Sequence, residues 1–274
     1  MAFQKGINAW CFPKETSVQE MFRQAKAHGY QGVELNLDEG DAPFHLEMTE
    51  GEWKGLADEA RELGLELPSV STALLWKYPL THHEEKVREQ GIRVVEKMIE
   101  AASIFGSRTV LVVPGLVTAE VSYDTAYERA REALQRLAKK AEQHQVYIGV
   151  ENVWNKFLLS PLEMARLIDE VDSPWVGAYF DVGNVLQFGF PEQWIRILGK
   201  RIQAIHVKDF KTTTGNITGF VPLLAGDIPW NRVVEALREI GYDGYIIPEI
   251  SPYSQLPEQL IAHTSQALDA IFQS

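Results

Sequence analysis

The stretch "SYDTAYERAREALQRLAKKAEQHQVYIGVENVW", residues 122–154, changes period part-way along. Up to His144, the side chains of Ala126, Ala130, Ala133, Leu134, Leu137, Ala138 and Ala141 recur at steps of three and four, which is one face of a helix. From Val146 the pattern contracts to a short apolar run that stops at a carboxylate, Glu151. A long amphipathic helix feeding a short buried strand is the repeating half of an alternating α/β architecture.

The same unit recurs in both directions. Strands are expected near 4–10, 31–37, 66–73, 108–113, 146–152, 175–181, 202–207 and 244–250. Helices are expected near 17–28, 49–63, 81–104, 122–143, 160–170, 190–199, 228–240 and 256–273. In "SPLEMARLIDEV", Ser160 is placed as an N-cap, with Pro161 at the first helical position and Glu163 three residues after the cap. "LREIGYDGYIIPEI" stops a helix at Gly241 before a strand begins. Eight alternations without a Ser/Gly-rich linker predict one (β/α)8 TIM barrel spanning residues 1–274 as a single domain. A doubly wound sheet would also alternate, but it usually carries a GxGxxG turn after a strand, and this chain has none.

Composition narrows the partners. The chain is 45% hydrophobic and carries a formal net charge of −12, which argues against nucleic acid or an anionic membrane surface as a partner. Cys11 is the only cysteine, so no internal disulfide can form. No apolar run at the start reads as a signal peptide, and none reaches transmembrane length. A cytoplasmic protein acting on a small molecule is expected, with a homo-oligomer left open.

In a TIM barrel the active site lies at the C-terminal ends of the strands. "VYIGVENVW" ends with Glu151, "VGAYFDVGN" with Asp181, "QAIHVKDF" with His206 and "YIIPEIS" with Glu249. Residues two apart share a face of a strand. Gly149 therefore points inward with Glu151, Tyr179 with Asp181, Ala204 with His206 and Ile247 with Glu249, while Ile148, Val150, Phe180, Ile205 and Val207 face the helices. Each polar group has an ordinary use alone: Asp181 before "VGN" would cap a turn, and a single histidine in an apolar strand is usually a satisfied core residue. Four such groups on consecutive strands at one level are harder to explain that way. Three acids brought together repel one another unless a cation joins them. One divalent ion bound by Glu151, Asp181, His206 and Glu249 is expected, with Mn²⁺ favoured, Mg²⁺ or Co²⁺ also suited, and Zn²⁺ possible.

The motifs "GVELN" (32–36), "GVEN" (149–152), "YFDVGN" (179–184), "IHVKD" (205–209), "GDIPW" (226–230) and "IPEI" (247–250) run through most of the chain. In their order they resemble the xylose-isomerase-like TIM barrels, which include sugar isomerases, sugar epimerases and endonuclease IV. Within that superfamily the chain looks most like the ketose and ketose-phosphate 3-epimerases and the hexulose-phosphate isomerase-like proteins. The resemblance implies a single divalent metal, usually Mn²⁺, on Glu151, Asp181, His206 and Glu249. It also implies proton transfer through an enediolate, with Glu151 and Glu249 as acid and base.

Several positions depart from the best-known ketose 3-epimerases. Asn184 stands where they have a histidine three residues after the ligand aspartate, Phe157 where they have an acid, and Thr212 where they have an arginine. Asn184 and Pro229, in place of further histidines, also argue against a three-metal DNA-repair site.

Further substrate contacts are expected from Glu34, through a sugar hydroxyl or the Glu151 side chain. Asn184, an apolar wall of Trp10 and Trp76, and the lysines Lys208, Lys156 and Lys211 complete the set. Asn184 and those lysines tilt the expectation toward a phosphorylated ketose. An aldose–ketose isomerase or inosose dehydratase-like enzyme uses the same parts. A glycosidase would need the glutamate pair but neither His206 nor Asp181. A non-catalytic sugar-binding barrel would need neither glutamate.

Overall fold

The computed structural model describes residues 3–274. The strands in chain order are β1 (Gln4–Asn8), β2 (Gly32–Asn36), β3 (Ser69–Ser71), β4 (Thr109–Val112), β5 (Tyr147–Glu151), β6 (Val176–Asp181), β7 (Ile202–Val207), β8 (Asp209–Phe210), β9 (Phe220–Val221) and β10 (Tyr245–Pro248). Eight of them close in the order β1-β10-β7-β6-β5-β4-β3-β2, and every neighbouring pair is parallel. This is a single (β/α)8 TIM barrel. Its helices are α1 (Val18–Ala27), α2 (Glu50–Glu62), α3 (Leu74–Lys77), α4 (Glu85–Phe105), α5 (Tyr123–His144), α6 (Pro161–Val171), α7 (Val182–Val185), α8 (Pro191–Leu198), α9 (Trp230–Glu239) and α10 (Gln259–Phe272). Among the described residues, no helix is long and apolar enough to cross a membrane.

Each expected strand and long helix is present. The third strand is shorter than the expected 66–73, and on its N-terminal side Pro68 has no N–H to offer a ladder. The additions are short: α3, α7 and the antiparallel ribbon β8–β9, all in loops at the C-terminal ends of barrel strands. One helical turn or two paired residues leave no periodic signal.

The caps follow local chemistry. Ser160 accepts a hydrogen bond from the Glu163 N–H at 3.2 Å, with Pro161 at the first helical position. The Glu163 side chain reaches back one residue further than a standard capping box and takes the Leu159 N–H at 3.0 Å. Gly241 adopts φ +75° just past α9, a conformation that costs glycine little.

Side-chain parity is as the alternation requires. Ile148, Val150, Phe180, Ile205 and Val207 are all buried in the layer between sheet and helices. Inside the barrel, Gly149 makes room for Tyr179: a Cβ at Gly149 would lie 2.9 Å from that of Tyr179. The large tyrosine can therefore cross the barrel beneath the strand ends.

Candidate metal centre and active site

β6 and β7 set the centre of the site, since Asp181 pairs in register with His206. β10 lies on the other side of β7, with Ile247 beside His206, and Glu249 follows directly, its N–H bonded to the Val207 carbonyl at 3.0 Å. Glu151 ends β5. One ligand atom from each of Glu151, Asp181, His206 and Glu249 lies within 4.8 Å of all the others. Asp181 and His206 are fully buried, Glu151 nearly so, and Glu249 is partly open to the barrel mouth.

His206 is oriented from behind. Its Nε2 lies 2.6 Å from Glu34 Oε1. Glu34 also accepts from Asn8 Nδ2 at 2.5 Å, Ser69 Oγ at 2.6 Å and the Tyr179 hydroxyl at 2.5 Å. Burial alone would raise the Glu34 carboxyl, but the charge of His206 and these hydrogen bonds outweigh it and hold the group below the usual range. Burial likewise opposes charge on His206, yet Glu34 and the other carboxylates hold the imidazole well above its ordinary value. Glu34 thus contacts His206, not Glu151 or the mouth cavity as expected from sequence. Strands two and seven are not neighbours, and only closure of the barrel brings their inward residues together.

The front of the cluster is different. His206 Nδ1 is buried without a hydrogen-bond partner, 3.8 Å from Glu151 Oε1 and 3.6 Å from Glu249 Oε2. Asp181 Oδ1 caps α7 by accepting the Asn184 N–H at 2.7 Å, so the turn-capping use is real. Asp181 Oδ2 makes no well-formed hydrogen bond, although Lys208 Nζ stands 3.0 Å away. Burial pushes Glu151 up to about 7, with the nearby Glu249 charge adding to the rise and His206 opposing it. Burial also raises Asp181, partly offset by Lys208. An orphaned imidazole nitrogen facing three carboxylates, with Lys208 the single ammonium among them, fits a divalent cation. With Glu34 holding Nε2, Nδ1 of His206 is the nitrogen left to ligate it.

Lys208 bridges the outer oxygens, hydrogen-bonding Glu249 as well as approaching Asp181. Its ammonium is held above the normal lysine range, because those carboxylates outweigh the opposing effect of burial. A Cβ at Gly183 would lie 2.6 Å from the Lys208 carbonyl oxygen, so "DVGN" needs glycine to let β7 pass.

The mouth above the cluster is a cavity of about 800 Å³. Trp10, Trp76, Asn184 and Lys208 line it together with Glu151 and Glu249. Two expected contacts do not reach it. Lys156, at φ +60°, sits on a separate apolar groove beside Phe188 and Trp194. Lys211 is turned to Asp227, 3.6 Å away on the rim. Asn184 spends its side-chain amide on the Asn152 carbonyl at 2.9 Å. Thr212 bonds Asp227, and Phe157 packs against Tyr123 and Tyr127, so neither occupies the centre.

The sequence reading assigned no role to Asn8, Ser69, Tyr179, Asn152 or Asp209. Asn152 and Asp181 exchange two hydrogen bonds, at 2.8 and 2.9 Å, tying β5 to β6. Asp209 is fully buried and accepts from the backbone of Phe210, Leu224 and Ile228 and from Trp230 Nε1, which anchors the loop that carries β9. Strand parity offered a signal for Asn8, which is paired in register with Glu34. The role of Asp209 depends on a loop whose path periodicity does not describe.

A family model described as xylose isomerase-like TIM barrel matches residues 22–271. An L-ribulose-5-phosphate 3-epimerase of Salmonella paratyphi A is 27% identical over 266 residues, covering 96% of this chain and 92% of the relative. The solved structure of an L-ribulose 3-epimerase superposes with a TM-score of 0.82 at 16% identity, covering 99% of this chain and 95% of the other. That of a D-tagatose 3-epimerase-like protein gives 0.83 at 21% identity, covering 100% and 97%. At these identities the two structures speak to the fold.

Proposed function

The chain belongs to the xylose isomerase-like TIM barrel family, and from that premise we propose that it is a divalent-metal-dependent ketose 3-epimerase. The curated relative is named as acting on L-ribulose 5-phosphate. The observation that carries the reading is the convergence of Glu151, Asp181, His206 and Glu249, with His206 Nδ1 buried and without a hydrogen-bond partner among the three carboxylates. A glycosidase has no use for His206 or Asp181 as ligands.

Glu151, Asp181, His206 and Glu249 would hold a divalent ion, with Mn²⁺ the ion of choice for an oxygen-rich set with one imidazole, and its charge would stabilise the negative charge that develops when the proton beside the ketone is removed. The remaining work falls to the side chains. Glu151 and Glu249 come from strands on opposite sides of β7 and flank whatever lies over His206. One takes the C3 proton of the ketose as base, and the other returns a proton to the opposite face as acid. The reverse epimerisation exchanges their roles. Glu34 fixes the imidazole ring, and Lys208 fixes the carboxylate of Glu249.

The test is deuterium entry at C3 of ketoses and ketose phosphates in D₂O, using protein whose Mn²⁺ content has been measured. Exchange at C3 with formation of the epimer is expected. Exchange confined to C1 would replace the reading with aldose–ketose isomerisation, and full metal loading without exchange would refute it.

A further inference from the structure

The mouth cavity carries chemistry that distinguishes between classes of ketose. We propose that the substrate is an uncharged ketose bearing a sugar ring or similar neutral group at the end remote from C3, and not a ketose phosphate. This rests on the epimerase reading above.

The first argument is charge. Among the described residues, Lys208 is the one basic side chain lining the cavity. It is already committed to Asp181 and Glu249. A divalent ion together with Lys208 would just balance the three carboxylates of Glu151, Asp181 and Glu249. That leaves no net positive charge to offset a phosphate dianion in a chain of net charge −12. Phosphate recognition ordinarily uses arginine, lysine or a free helix N-terminus. The helix end nearest the cluster, that of α7, is capped by the Asp181 carboxylate itself.

The second argument is the wall. Trp10, Trp76, Trp154, Phe220 and Tyr253 all line the cavity. Trp76 is 45% exposed and Ile217, on the loop anchored by Asp209, is 68% exposed. Aromatic faces of this kind suit the C–H faces of a sugar ring and offer a phosphate nothing. The third argument is size. A cavity of about 800 Å³ exceeds what a pentulose fills, so space remains for a second ring once the reacting end lies over His206.

Three substrates share a reacting end and differ only at O6: fructose, fructose 6-phosphate and isomaltulose, a fructose with a glucosyl ring on O6. L-Ribulose and L-ribulose 5-phosphate add a second matched pair. With Mn²⁺-loaded protein, kcat/KM for C3 deuterium exchange is expected to be about tenfold or more higher for isomaltulose than for fructose 6-phosphate, and no lower for L-ribulose than for its phosphate. Trp76→Ala is expected to reduce the isomaltulose-to-fructose ratio about fivefold. Faster exchange with the phosphorylated member of either pair would overturn the inference and leave the epimerase reading standing. Fructose well ahead of isomaltulose would remove the outer ring. No exchange with any of the five substrates, with metal bound, would overturn both.

Discussion

Glu34 and Glu151 are both glutamates on inward positions of barrel strands, both buried, and both near the His206 ring. Glu34 is saturated, with four partners on its two oxygens, and burial is overcome so that it stays ionised. Glu151 lacks such a set, and burial pushes it up to about 7. The first is a completed structural network. The second is a group whose balance needs something the chain does not provide. Burial therefore does not separate scaffold from active site in this barrel; completeness of hydrogen bonding does.

The sharpest way to break that contrast is on the front side. Glu151→Gln and Glu249→Gln should each reduce epimerisation by about 10³-fold, within the usual span for a general acid or base. One variant should still exchange the C3 proton of one epimer with solvent, because the remaining carboxylate reaches one face. Near-wild-type turnover in both, with metal bound, would mean these residues are not the acid and base.

His206→Ala removes the only nitrogen donor of the four-residue set. Protein incubated with Mn²⁺ and desalted should then retain almost none by elemental analysis, whereas wild type should retain about one ion per chain. Equal retention would refute the ligand assignment. Glu34→Gln tests the back side. It keeps the shape but loses the charge facing His206 Nε2, so metal affinity should fall about 10- to 100-fold, as for partners behind a ligating histidine. An unchanged affinity in a folded variant would show that Glu34 does not orient the ring.

Smaller effects test how the two sides are held. Gly183→Ala places a methyl group against the Lys208 carbonyl oxygen and should destabilise the protein by about 1–3 kcal/mol in chemical denaturation. Cys11 is fully buried next to Pro248 and Ile250, and burial pushes its thiol up to about 12. Since only the thiolate reacts, iodoacetamide at pH 8 should leave Cys11 unmodified until the protein is unfolded. Rapid labelling of native protein would show that the strand ends open.

The barrel was readable because its signals are local. Seven small or apolar residues at helical spacing before His144, followed by an apolar strand ending at Glu151, state one unit completely, and eight such units leave few topologies. The four metal-type residues were readable for the same reason, since each ends its own strand and parity points it inward. Of the three lysines only Lys208 reaches the mouth cavity. Lys156 and Lys211 lie in loops after the correct strands, but one turns through a positive φ onto another groove and the other is held by Asp227.

Periodicity and strand ends, which depend on nearest neighbours along the chain, thus determined the fold class and the identity of the four converging side chains. Tertiary structure decided which polar groups were satisfied. The contacts of Glu34 with Tyr179 and His206 span 145 and 172 residues and exist only because the sheet closes on itself. The same closure left His206 Nδ1 without a hydrogen-bond partner and set Asp181 Oδ2 against the Lys208 ammonium, because each sits on a strand whose register is fixed by its neighbours.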